Sequence, residues 1–453
     1  MKLISYIGRN YSNYGSSKSK IFYPKNKKQI FNLIKYSQKK KYKILSIGSS
    51  LSWFDTIFNT NNIVINLKDF ENVFKLDKKE GILTVSPFYK ISDIIEKINR
   101  FGWTIYSSPG YPNVTVGGCV SNDVHGKDSF AHGNFGENII ELEVILSNRR
   151  VVRCSKIKNK EIFRSVVGGL GLIGIVTKVK LRLKRISSSY VTNVYKCQNY
   201  KELIRQIYFN KKKYEYLYGW IDFYSTGSQL GRGIIFKSKG DGEFKTKTIK
   251  NEKIFNKING FLTNKVFIFF TKFNLNKYLN FLFFHSFKFK KKEFKSSYKE
   301  VAWPLDSNGI DVKKSIYPNA FFEIQFIIKK KDLPNGLKEF IKKCQRLKIK
   351  TFITGIKIHK KNKNYLSFAD DGVSINVNQI FNKNSQKQQI KKFQILYEYV
   401  QSKNYKIYIS KDFFFKNKTF FKNYLLGKKF IKIKKVTDKK DLFFSDFYKR
   451  IKK

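Results

Sequence analysis

Apolar and polar positions alternate along the chain in a way that divides it into short strands and a few helices. Between residues 21 and 70, Ile30, Leu33 and Ile34 fall on helical spacing, and Ile44, Leu45 and Ile47 form a short apolar run after them. That segment reads strand, helix, strand. Residues 61–110 then give strand, turn, strand, helix and strand, with Trp103 and Tyr106 facing a core. Asp93 falls near the start of that helix, where a carboxylate suits the dipole. Residues 138–155, NIIELEVILSNRRVVRCS, alternate as a hairpin. Beyond residue 186 the character changes at a serine-rich joint, SSSY, and YLYGWIDF reads as a strand around Trp220. Further on, Phe322, Ile324 and Phe326 occupy one face of a strand, and Glu323, Gln325 and Ile327 the other. FITGIKIHKKNKNYLSFADDGVSINVNQI adds two strands and a turn, Gln386–Ser402 a helix, and the tail to Lys453 is helical and basic. The pattern predicts an α+β chain.

One stretch breaks the pattern. Pro109 to Gly136 holds six glycines (Gly110, Gly117, Gly118, Gly126, Gly133, Gly136) and two of the four histidines, His125 and His132. Small neighbours, Thr115, Cys119 and Ser121, keep its surface bare. Glycine lets a ligand lie directly against the main chain, so the stretch reads as a loop that holds a large flat ligand; a run of tight turns is the plainer alternative. A second loop, GSSLSWFD from Gly48 to Asp55, follows a strand with one glycine and three serines. Free N–H and hydroxyl groups after a strand cradle a pyrophosphate. A third cluster, Gly168, Gly169, Gly171 and Gly174, precedes a strand that begins Ile175, Val176. Its spacing and the lack of a following helix argue against a dinucleotide fingerprint.

Charge changes the picture less than its size promises. The net charge is +58, from 91 Lys and Arg against 33 Asp and Glu. Such a balance points to nucleic acid or an anionic membrane. The basic residues are spread and no nucleic-acid motif is present, so nucleic acid is the disfavoured partner. An anionic membrane surface suits the charge equally well. Lys, Asn, Ile, Phe and Tyr are abundant together, which also fits base-composition drift on solvated faces. Residues 253–295, dense in Phe and Lys, read as an amphipathic helix or two short ones. An ordinary core helix is the first expectation there, and a basic aromatic face toward a membrane or a polyprenyl tail the second. The four cysteines form no CxxC pair, so neither a disulfide framework nor a zinc site is expected. The start lacks the apolar core of a signal peptide, and no run approaches the roughly 20 apolar residues that span a bilayer. A soluble, cytoplasmic protein, peripheral on the membrane, is the expectation.

VTVGGCVSNDVHGK followed by HGNFGENI resembles the flavin-binding core of FAD-dependent oxidases of the vanillyl-alcohol-oxidase type. The branch that oxidises a polyprenyl-phosphate pentose is the most similar, and the sugar-lactone oxidases are more distant. The resemblance implies a two-domain PCMH-type FAD-binding fold. An FAD-binding domain takes residues 1–187, a substrate domain built on an antiparallel sheet 188–405, and a segment returning to the FAD domain 406–453. It implies that FAD is held by Ser46, Ile47, Gly48, Ser49, Ser50, Leu51 and Ser52, and by Gly110, Thr115, Val116, Gly117, Gly118, Asn122, Asp123, Val124 and His125. Ile175, Val176 and Tyr408 complete that set. Ser49 stands where many lactone oxidases carry a histidine linked to the flavin, so the FAD is expected to be non-covalent. Lys411, Gln325, Lys357, Lys127 and His125 are the implied catalytic residues. Three positions depart from the family: Asn376 replaces a cysteine, Glu323 a glutamine and Leu51 a tyrosine. The implied activity is oxidation of a sugar 2′-hydroxyl to a keto sugar for a partner reductase. A sugar-1,4-lactone oxidase and a non-catalytic basic module binding membrane or nucleic acid are the alternatives.

Overall fold

Three sheets carry the described residues. The computed structural model describes residues 2–243, 265–307, 320–351, 353–381 and 385–452. The first sheet contains β1 (Ile4–Arg9), β2 (Ser16–Phe22), β3 (Ile44–Ile47) and β4 (Ile63–Asn66), in the order β1-β2-β4-β3. β1 and β2 are antiparallel, whereas β4 runs parallel to both β2 and β3. The crossover between β2 and β3 is helix α1 (Lys27–Lys40). It starts where the Asn26 side chain accepts from the Gln29 N–H at 3.0 Å and stops where Lys41 turns left-handed, the two ends that cap an isolated turn. The predicted Ile30, Leu33 and Ile34 are its buried face.

The second sheet contains β5 (Phe74–Asp77), β6 (Ile82–Val85), β7 (Trp103–Ile105), β8 (Ile139–Ile145), β9 (Val151–Cys154) and β10 (Ile175–Arg185). Its order is β5-β6-β10-β8-β9, with β7 also paired to β10. The β8–β9 hairpin is the one the alternation predicts. Helix α2 (Ile91–Asn99) buries Ile91, Ile94, Ile95 and Ile98, the i, i+3, i+4, i+7 stripe of a helix on a core.

The third sheet is antiparallel throughout: β11 (Tyr190–Cys197), β12 (Tyr216–Ile221), β13 (Gly233–Gly240), β14 (Lys291–Ser296), β15 (Phe321–Lys329), β16 (Gly355–His359), β17 (Gly372–Ile380) and β18 (Lys406–Ile407). The order is β14-β11-β13-β12-β16-β17-β15-β18. Two mixed or antiparallel sheets up to Arg185 and one large antiparallel sheet from Tyr190 onward make this the two-domain α+β fold the sequence predicts.

Two expectations change. The glycine-rich stretch is not loop throughout: it forms two short helices, α3 (Val116–Asn122) and α4 (Ser129–His132). The cause is local, because Thr115 caps α3 by accepting from the Gly118 N–H at 3.1 Å, and small residues fill the turns. The Phe- and Lys-rich stretch is not a core helix. Its first residues, 253–264, lie outside the described residues; 265–272 and Asn276–Ser286 are helical, with most of their aromatics turned to solvent.

The tail closes on the first domain. Ile44 N–H donates to Leu442 O at 2.7 Å, and Phe444 N–H donates to Ile44 O at 2.9 Å. Lys434, wholly buried, donates to Leu172 O, Phe443 O and Asp438. Arg450 forks onto both carboxylate oxygens of Asp55 at 2.9 Å and reaches Asp412 at 2.8 Å.

Candidate active site

β3 leads directly into the serine-rich loop, which packs against the turn before α3. A Cβ on Gly48 would sit 2.2 Å from Thr115 Oγ1, so only glycine lets the two loops meet. Ser49 Oγ then donates to Asn113 O at 2.7 Å, and Ser50 takes a left-handed φ of 56°. Gly110 has nothing within 4 Å of where its Cβ would be, which leaves bare backbone facing open space.

The third sheet supplies the opposite wall by strand periodicity. On β15, Glu323 and Gln325 share a face; Asn378 and Asn376 stand opposite them on β17, and Lys357 on β16 is registered beside Ser374. A 3₁₀ turn, Ile409–Lys411, follows β18 and brings Lys411 into an ion pair with Glu323. Tyr408 N–H donates to Gln325 O at 2.8 Å, which fixes that turn to the strand. Gln325 Nε2 lies 3.1 Å from His125 Nε2. The His125 ring is 4.8 Å from His359 and 5.4 Å from Tyr408, whose own ring stacks on Phe368 at 4.7 Å.

Between these walls lies one cavity of about 1140 Å³. It gathers all five residues expected to be catalytic: Lys411, Gln325, Lys357, Lys127 and His125. Residues 46–52, Gly110, Thr115, Gly117, Gly118, Asn122, Val124, Val176 and Tyr408 line it as well. Three residues expected at the cofactor do not. Val116 and Ile175 are fully buried in the cores behind their elements. Asp123 turns at φ 42° toward the 362–367 loop, where its carboxylate accepts from Asn362 at 2.8 Å, from Ser367 and from the Gly136 N–H. Its role is to tie the two domains together. His132, the other histidine of the glycine stretch, packs on Tyr106 at 4.7 Å instead.

Sequence reasoning missed an entire wall. Tyr218, Trp220, Phe236, Phe283 and Phe287 line the cavity from the third sheet and the helix beside it. Only strand order brings them together, and no local spacing announces it. Asn378 was legible in principle, two residues after Asn376 on the same strand face.

The electrostatics are cationic. Lys127 Nζ donates to Ala302 O at 2.5 Å; burial first, then Lys357, pushes its ammonium well below the usual lysine range. Lys357 Nζ makes no hydrogen bond among the described residues, and burial, then the charge of Lys411, bring its pKa down to about 8. Burial also holds His125 well below the ordinary imidazole value, with Lys357, His359 and Lys411 adding to the effect. His359 is pushed down to about 3 by burial and by Lys357. Both imidazoles are therefore neutral.

The residues fit a dinucleotide-sized flavin. The cavity exceeds the roughly 300–1,000 Å³ of a drug-sized pocket, its first-domain wall offers hydroxyls and bare backbone, and Gln325 Oε1 and His125 Nδ1 are buried polar atoms without partners among the described residues. Residues 19–155 match the family model described as FAD binding domain. The chain takes the two-domain PCMH-type FAD-binding fold, and FAD is the cofactor. Among similar proteins, a putative D-arabinono-1,4-lactone oxidase of Neurospora crassa is 25% identical over 159 residues, covering 35% of this chain and 28% of that protein. Decaprenylphosphoryl-beta-D-ribose oxidase of Mycolicibacterium smegmatis is 24% identical over 203 residues, 42% of each chain. The mitochondrial L-galactono-1,4-lactone dehydrogenase of Arabidopsis thaliana is 26% identical over 200 residues, covering 43% of this chain and 32% of that protein. The matched stretches thus span well under half the length of these relatives.

Among the described residues that line the cavity, His125 is the one histidine and there is no cysteine. With Ser49 in the diphosphate loop, the FAD is expected to be non-covalent. Acid precipitation then leaves the yellow colour in the supernatant; colour that stays in the pellet contradicts it.

Proposed function

We propose that the protein is an FAD-dependent oxidoreductase that oxidises a sugar hydroxyl, the 2′-hydroxyl of a polyprenyl-phosphate-linked pentose, to a keto sugar. The observation that carries this reading is the composition of the cavity. One wall is glycine and serine, one is lysine, histidine and amide, and one is aromatic. An adenine dinucleotide suits the first, an anionic sugar the second, and an apolar tail the third. Three of the relatives, two sugar-lactone enzymes and a lipid-phosphate ribose oxidase, are named for sugar substrates, which supports this reading. The keto product calls for a partner reductase, as in a two-step epimerisation during cell-envelope synthesis.

FAD, when bound, supplies the two-electron acceptor for the hydrogen on the alcohol carbon. The chain handles the remaining proton and charge. Lys357 Nζ is the group that takes the hydroxyl proton: it is unpaired among the described residues, and a pKa near 8 suits a general base at neutral pH. Lys411 keeps that pKa low by its charge and supplies positive potential where negative charge grows. Gln325 and His125 hold each other and the Tyr408 turn in place. Glu323 anchors Lys411 and, as a departure from the family, tunes which anion is accepted.

Because the neutral amine is the active form, flavin reduction should rise with pH and level off above about 8. Below that it should fall about tenfold per pH unit. Lys357→Met should flatten the profile and cut the rate by roughly 10²–10⁴-fold. A wild-type profile flat from neutral pH upward contradicts the assignment. Anaerobic reduction by a polyprenyl-phosphate pentose, against soluble aldonolactones, tests the substrate class; preferential reduction by lactones favours the lactone-oxidase alternative.

A further inference from the structure

The surface between Val266 and Phe294 concentrates apolar side chains. Phe267 and Phe284 anchor its two helices in the protein, at 6% and 1% exposure. Val266, Phe269, Phe273, Tyr278, Phe281 and Leu282 stay between 49% and 59% exposed. Exposed apolar side chains are ordinarily scattered singly, and a concentrated set marks a contact surface. The burial pattern explains why the face is left open: the buried side of helix Asn276–Ser286 is narrow, with Asn276, Asn280 and Phe284 as its fully buried residues. Asn280 Nδ2 donates to Asp222 at 3.3 Å, so part of the inward side is polar and the apolar residues point out.

Charge says what covers the face. Between residues 265 and 296 there are eight lysines and a single acid, Glu293. The Lys290–Lys292 run leads into β14, the exposed edge strand of the third sheet. Lysines flanking exposed Phe and Leu are the composition of an interfacial element, with rings at the headgroup boundary and ammonium groups against anionic headgroups. Position adds a second argument. Phe283 belongs to the exposed face, at 38% exposure, and also lines the cavity, where its ring meets Trp220 at 4.9 Å and Phe287 at 5.3 Å. The aromatic wall therefore runs from the cavity to this surface. Among the described residues no helix is long and apolar enough to cross a membrane, so contact is with the surface.

We propose that this face docks on an anionic lipid bilayer, inserting Phe269, Phe273 and Phe281 at the headgroup–acyl boundary. The proposal stands apart from the catalytic reading, because docking is read without turnover. The flavin-loaded protein is sedimented with vesicles of phosphatidylcholine alone and of phosphatidylcholine with phosphatidylglycerol, at low and at high salt. Recovery with the anionic vesicles should be the greater, with a remainder that survives salt, since screening weakens the lysines but not inserted rings. The Phe269→Ser/Phe273→Ser/Phe281→Ser variant should keep its flavin spectrum and lose that remainder, by roughly tenfold in partitioning per phenylalanine. A separate Phe281→Trp variant gives a second reading: lipids brominated in the acyl chains should quench its added fluorescence. Equal recovery with neutral and anionic vesicles at low salt, an unchanged partition for the triple variant, or no quenching would overturn the proposal.

Discussion

Lys411→Ala keeps its FAD and loses flavin reduction by at least about 10²-fold, the usual loss when a positioned electrostatic group is removed. Of the serine-rich loop its ammonium meets the Trp53 ring, beyond Ser49, Ser50 and Ser52, so cofactor uptake is expected to be spared. It pairs with Glu323, its ring neighbour is Trp53 at 4.7 Å, and it lines the cavity beside Tyr408. Removal has a second consequence that a merely structural lysine would not produce. The charge of Lys411 is the largest influence after burial in lowering Lys357. Without it, the Lys357 ammonium is easier to keep protonated, and the pH midpoint of flavin reduction moves above about 8. Glu323 is left buried without its partner, so Lys411→Ala/Glu323→Gln serves as the control for that uncompensated carboxylate. Stopped-flow reduction across pH checks both effects. A near-normal rate with an unmoved midpoint would remove Lys411 from the site.

Arg450→Ala has the largest expected effect on stability. The guanidinium holds Asp55, Asp412 and the Phe415 carbonyl at 2.7–2.9 Å, and Asp412 is wholly buried. Deleting one partner of such a cluster leaves uncompensated charge and costs roughly 3–5 kcal/mol. The pH dependence follows from Asp55. Burial raises its pKa to about 6, with Arg450 opposing. A raised carboxylate binds more protons folded than unfolded between about 3.8 and 6, so its contribution is present at low pH and is lost as pH rises through that window. Without Arg450 the folded pKa climbs further and the loss continues to higher pH. Denaturant titrations should therefore show a larger deficit above about pH 7 than at about pH 4. A deficit under about 1 kcal/mol at every pH would mean that the tail is not held by this cluster.

What the sequence made legible follows from the range of the cause. Alternation along residues 322–327 put Glu323 and Gln325 on one face because strand geometry repeats every two residues. Glycine density marked both loops because close backbone approach needs glycine locally. Within those loops the side each residue faces was not legible. Val116 and Gly117 are neighbours, yet one enters the core and the other the cavity, as a helix turn dictates; Ile175 and Val176 divide the same way on a strand. Asp123 went to the 362–367 loop through a contact some 240 positions away in the sequence. The aromatic wall was hidden for the same reason, since β12, β13 and the helix after residue 276 meet only through sheet order. The exposed Phe- and Lys-rich face looks like core in the sequence because helical spacing gives an apolar side without saying what covers it.

The proposed activity requires that one cavity bring FAD to a sugar hydroxyl. The absorbance spectrum of the purified protein, followed anaerobically on addition of a polyprenyl-phosphate pentose, tests it most directly. The expected result is an oxidised flavin spectrum that bleaches with the lipid-linked sugar, with formation of the keto product. A protein that takes up no FAD, or a bound flavin that neither this sugar nor an aldonolactone reduces, would contradict it.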